Sequence, residues 1–142
     1  MTSNNRFHDN PSGVISDTQN QIEWLPKDSY LDLGCWRTWK DANAYKLLMN
    51  QVYAGGHNDW RLPSEEEALT LFDPQLKSID WEGEEIHIHP VFVQKCGNNI
   101  WTLDVNEDDQ ALTVDLRDGS TTYTAKSEEE FQATRLVRNI KN

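Results

Sequence analysis

The stretch Ala54-Gly55-Gly56-His57-Asn58-Asp59-Trp60-Arg61-Leu62-Pro63-Ser64-Glu65-Glu66-Glu67-Ala68-Leu69-Thr70-Leu71-Phe72-Asp73 carries the clearest structural signal in this chain. Ser64 precedes Glu67 by three residues, the spacing of a capping box, in which each side chain satisfies an orphan amide at a helix start. Glu65, Glu66 and Glu67 place negative charge at the positive end of the helix dipole. Pro63 restricts the approach to the cap. Ala68, Leu69 and Phe72 are predicted to face inward, and Asp73-Pro74 to end the helix. Within Asp59, Trp60, Arg61, Leu62, Pro63 and Ser64, a carboxylate, an aromatic and a guanidinium meet at a helix entrance, which suits either a ligand site or a scaffold joint. The scaffold reading has Trp60 packing under the helix and Arg61 pairing with a carboxylate.

Upstream, the spacing of Trp39, Ala42, Tyr45, Leu48, Met49 and Val52 predicts a helix with one apolar face. Thr38 is its expected cap, with Asp41 three residues on. Ala54-Gly55-Gly56 ends it, because glycine reaches the left-handed conformation without steric cost. Further upstream, Arg6 to Asp9 and Val14 to Asp17 flank the turn formers Asn10-Pro11-Ser12-Gly13, and a second polar turn leads to Gln21 to Leu25. Short β-prone runs divided in this way predict strands. Downstream, Glu85 to His89 alternates, Asn99 to Leu103 and Ala111 to Leu116 are β-prone, Arg117 to Ser120 is a hairpin turn with Thr121 to Thr124 as its return, and Thr134 to Arg138 closes the series. Two helices set among short, mainly antiparallel strands make an α+β domain. With no repeat or linker in 142 residues, a single domain over 1–142 is expected.

Composition narrows the partners. The formal net charge is −11, with 24 acidic against 13 basic residues, which argues against nucleic acid, an anionic membrane surface or a sulfated polymer. No apolar run approaches the length of a membrane span, so insertion is not expected. Met1 to Asn10 has no signal-peptide core, so the chain reads as cytoplasmic as it stands, and extracytoplasmic if it is a processed fragment. Six tryptophans suit a core short of aliphatic residues, with some available for a binding surface. Cys35 and Cys96 are compatible with a disulfide or with two thiols.

The order of these segments resembles the Lcl C-terminal domain family, long catalogued as a bacterial domain of unknown function. Phe7 to Trp24 echoes the family's opening, Trp39 to Ala42 its Trp-x-x-Ala helix, and Ala54 to Glu67 its Ala-Gly…Asp-Trp-Arg-Leu-Pro hallmark with an acidic helix. Thr134 to Arg138 approximates its ending. Ile100-Trp101-Thr102-Leu103 departs from the usual Tyr-Trp-Ser-Ser, and Asn20-Gln21-Ile22 from Thr-Gly-Leu. The resemblance implies a C-type-lectin-like fold and a non-catalytic module that binds a carbohydrate or protein. Loops on a rigid scaffold are the usual place for such recognition. The expected ligand-binding residues are Trp81, Trp101, Asp104, Asn106, Asp108, Arg117 and Tyr123.

Three further patterns bear on chemistry. Asp104, Asn106 and Asp108 offer oxygen ligands suited to calcium, although the segment lacks the spacing and glycine of an EF-hand loop. No other cofactor is expected. His87 and His89 would share one side of a strand, and with His57, Cys35, Cys96 or a carboxylate would form the zinc site of an alternative, metal-dependent enzyme. A further alternative is an accessory subunit that contacts only protein. No nucleophile motif is present, and neither cysteine sits in a recognisable redox motif.

Overall fold

The computed structural model describes residues 6–140. The chain folds as an α+β unit around two four-stranded sheets. The first sheet contains β1 (Phe7–Asp9), β2 (Ile15–Asp17), β3 (Ile22–Trp24) and β10 (Val137–Asn139), in the order β1-β2-β3-β10 and antiparallel throughout. The opening hairpin therefore forms as its turn residues require, and the last strand returns to lie beside the third.

Between β3 and the second sheet come three α-helices, α1 (Ser29–Leu33), α2 (Trp39–Gln51) and α3 (Glu65–Leu71), and a 3-10 turn at Ala54–Gly56. Two helices were expected from the sequence; α1 is the addition. Five residues are too few to show a helical period. Its local signal is Asp28, whose side chain accepts the Leu31 amide at 2.9 Å as an N-cap. A two-stranded ribbon follows, β4 (Ser78–Ile79) with β5 (Glu85–Ile86). The second sheet comprises β6 (Asn99–Val105), β7 (Gln110–Asp115), β8 (Thr121–Ala125) and β9 (Gln132–Ala133), in the order β8-β7-β6-β9. Only the β6–β9 pairing in this sheet is parallel.

Two apolar clusters fill the interior. One gathers Ile15, Trp24, Leu71, Phe92, Ile100 and Leu116 with their neighbours, and the other is built on Val14, Ala42, Tyr45, Trp60, Leu62, Trp101 and Leu136. Trp24, Trp60 and Trp101 are fully buried, whereas Trp36, Trp39 and Trp81 are half-buried.

The predicted inward faces need two corrections. On α2, Ala42 and Tyr45 are buried, but Leu48 is 45% and Val52 60% exposed. On α3, Ala68 and Leu71 are the buried pair, and Leu69 is only half-buried. In both cases apolar residues exceed the area a neighbour covers, so periodicity alone overestimates the inward stripe.

The residues of the Asp59 to Ser64 motif are held by several different elements. Asp59 accepts from Arg138 Nε at 2.6 Å. Trp60 donates its indole N–H to the Ala54 carbonyl at 2.8 Å, and its backbone is held at both N and O by the Asn50 amide. Arg61 makes two 2.7 Å bonds to the Glu67 carboxylate, and its backbone bridges Val137. Leu62 is fully buried, and the Pro63 carbonyl accepts the Leu103 amide. Ser64 and Glu67 complete a reciprocal capping box. Six consecutive residues thus join α2, α3, β6 and β10.

Candidate functional site

Trp81 and Arg117 lie in one neighbourhood, organised by a buried carboxylate. Asp80 is fully buried and accepts Arg117 Nε at 2.7 Å, as well as the amides of Glu82 and Glu84 at 3.0 Å. Arg117 also reaches Glu82 at 2.8 Å. Hydrogen bonds to Asp80 and Glu82 raise the guanidinium's pKa further, so its charge is fixed. Trp81 donates its indole N–H to Asn98 Oδ1 at 3.1 Å, and Asn98 donates in turn to Asp115. These bonds fix the position of the Trp81 ring, which is half-buried.

Around Trp81 gather three rings that sequence reasoning did not select. Phe131 stacks on Trp81 with centroids 5.3 Å apart, Trp36 meets Trp81 edge-on at 5.2 Å, and Tyr30 stacks on Trp36 at 4.2 Å. Trp36 also meets Phe131 edge-on at 5.9 Å. The four rings come from α1, the α1–α2 connection, the turn after β4 and the residue before β9. They stand outside both apolar clusters. Phe131 is 40% exposed, and its φ is +68°, a region bulky side chains avoid and that clusters at functional sites. Trp36 sits on Gly97, where an added Cβ would come within 3.2 Å of its ring and 2.8 Å of Ala133. The signal available in sequence was the unusual number of aromatics outside any periodic run, but nothing local pairs Tyr30 with Phe131.

The remaining predicted site residues lie elsewhere. Trp101 is fully buried and donates its indole N–H to the Arg37 carbonyl at 2.9 Å, so it belongs to the core and not to a binding surface. Its place in β6, with both flanking residues buried, explains the difference. Asp104 accepts the Glu65 amide at 2.6 Å and serves the start of α3. Asn106 Oδ1 accepts the amides of Asp108 and Gln110 at 3.0 and 2.9 Å, shaping the β6–β7 turn, with Asp108 exposed at its tip. Tyr123 is 43% exposed on the outermost strand β8.

His87 and His89 do not share a strand face, because β5 stops at Ile86. His87 Nδ1 lies 2.9 Å from the Leu76 carbonyl, with its ring edge-on to Phe72. His89 Nδ1 accepts the Val91 amide at 3.0 Å, and its ring packs on Phe7. Burial, with Arg6 nearby, lowers the His89 pKa. Among the described residues no group of three or more His, Cys, Asp or Glu side chains is placed to hold a metal ion. Cys35 is an exposed thiol and Cys96 a buried one, and they are not joined. No helix among the described residues is long and apolar enough to cross a membrane.

The family model described as the Lcl C-terminal domain matches residues 13–138, which runs from β2 into β10 and includes all four rings of the aromatic group. No curated protein matches the chain.

Proposed function

The chain belongs to the Lcl C-terminal domain family, and we propose that it is a non-catalytic binding module of C-type-lectin-like kind, whose ligand is a carbohydrate held against the aromatic group Tyr30, Trp36, Trp81 and Phe131. The observation that carries this is the gathering of four rings from separate segments at the surface, outside either core cluster. Sugar rings present C–H faces that pack on aromatic surfaces, and Tyr and Trp supply large contact area with little conformational entropy to lose. An anionic ligand is disfavoured, because Glu128, Glu129 and Glu130 precede Phe131, Glu82 follows Trp81, and the whole chain is at −11.

Tryptophan fluorescence during titration with neutral hexasaccharides of glucan, mannan and chitin type tests this. A saturable change with at least one of them is expected, lost in Phe131→Ala while far-UV circular dichroism is retained. Equal binding by Phe131→Ala, or no response to any of the three, removes the proposal.

A second reading, an accessory subunit that docks a protein, is favoured by α2. Leu47, Leu48, Val52 and Tyr53 are between 45 and 60% exposed along and just beyond this helix, and contiguous exposed apolar side chains mark contact surfaces. On this reading Leu47→Glu releases a co-purifying protein and leaves the glycan titration unchanged.

A further inference from the structure

A cleft of about 230 Å³ opens where the β1–β2 turn, the segment after β3, α1, α2 and the 3-10 turn meet. Its apolar lining is Leu25, Pro26, Met49 and Ala54, and the charged residues among its lining are Asp32 and the exposed Lys27. At the inner side Tyr45, itself buried, donates its hydroxyl to Asp32 Oδ2 at 3.0 Å. Burial and the adjacent Asp32 carboxylate raise the phenol's pKa, so Tyr45 stays a donor. The bond orients Asp32 and occupies one of its two acceptor oxygens.

The lining selects among ligands by charge. A simple amine would satisfy Asp32 and meet Lys27 with like charge. A simple carboxylic acid would do the reverse, and would also approach against the −11 potential of the chain. A hydrocarbon would offer nothing to Lys27 or to the second carboxylate oxygen of Asp32. The cleft is smaller than the several hundred Å³ of a drug-sized site, which limits the ligand to roughly ten heavy atoms. We propose that this cleft binds a free α-amino acid with an apolar side chain, its ammonium on Asp32, its carboxylate on Lys27 and its side chain against Leu25, Pro26 and Met49. This site is independent of the aromatic group and of the glycan proposal.

The test is a titration of the isotope-labelled full chain with L-valine, L-leucine and L-methionine, followed by amide chemical shifts. Isoamylamine and 4-methylpentanoate, each carrying one of leucine's two charges, serve as controls. The expected result is saturable shifts at Gly13, Tyr45 and Gly55 with at least one amino acid, and about tenfold weaker binding of both single-charge controls. Asp32→Asn keeps an acceptor for Tyr45 and removes the charge, and Lys27→Met changes an exposed side chain. Each is expected to weaken the amino acid about tenfold. The proposal is overturned if none of the three amino acids gives saturable shifts, if either control binds as tightly as leucine, or if both variants bind like the parent.

Discussion

Arg61 faces Glu67 through two parallel hydrogen bonds of 2.7 Å, and the same Glu67 oxygen that accepts Arg61 Nη1 also accepts the Ser64 amide at 2.9 Å. The guanidinium therefore steadies a capping box, and because the Arg61 backbone bridges Val137, the start of α3 is fastened to the last strand. The Asp-Trp-Arg-Leu-Pro segment works as a joint between elements that are distant in sequence.

Removing that guanidinium should lower stability without touching the aromatic group. Arg61→Ala is expected to cost about 1.5 kcal/mol, the low end for charged hydrogen bonds, since Arg61 is 30% exposed. Arg61→Lys should recover only part, because an ammonium cannot make the two-pronged contact. Urea denaturation measures both. An unchanged midpoint for Arg61→Ala would show that the motif is not a structural joint.

Acid should unfold the protein through carboxylates that are held ionised. Burial raises the pKa values of Glu67 and Asp17, but hydrogen bonds from Arg61 and Ser64 in one case, and from Arg6 and Asn20 in the other, outweigh it and leave both below their ordinary values. The unfolded chain therefore binds more protons in that range. The stabilisation is fully present above the ordinary carboxylate range and is lost as pH falls through the depressed folded values. Glu67→Gln is expected to be less stable at pH 7 and to show a shallower acid limb in a series of melting temperatures. A limb as steep as the parent's would assign the acid sensitivity elsewhere.

Two tryptophans of the second half should behave differently. Trp101→Ala removes a fully buried ring and is expected to cost about 3–5 kcal/mol. Trp81→Ala, at a half-buried ring, should cost no more than about 2 kcal/mol. Guanidinium denaturation of the two variants checks this. Similar losses would mean that Trp81 is a core residue and that the aromatic group has no spare surface.

Phe131 holds a left-handed backbone at φ +68°. Phe131→Gly relieves that strain and gives up one stacked and one edge-on ring contact, two effects of about 1 kcal/mol each. A change in unfolding free energy within about 1 kcal/mol is expected. A much larger loss would show that Phe131 acts chiefly in packing.

Thiol labelling should separate the cysteines. Cys35 is exposed, whereas burial pushes the Cys96 thiol up to about 11. One equivalent of a disulfide-exchange reagent should react with the native protein, and a second only after unfolding. Two fast equivalents would place Cys96 at the surface.

The sequence by itself determined the elements that local chemistry controls. Ser64 with Glu67, Thr38 with the Asp41 amide, and the turn at Asn10 to Gly13 form as read, because capping and turn preferences act over three or four residues. It also determined the family, through a motif whose residues are adjacent in the chain. Tertiary structure alone decided which apolar residues are covered. Leu48 and Val52 obey the helical period, yet no element lies over them. It alone moved Trp101 into the core, and it alone brought Phe131 onto Trp81 and Trp36 against Trp81. The Phe131 contact accompanies the return of β9 to the edge of β6, a pairing between residues more than thirty positions apart. No short-range preference encodes such a pairing. It follows from burying both sheets at once, and so the aromatic group exists only in the folded chain.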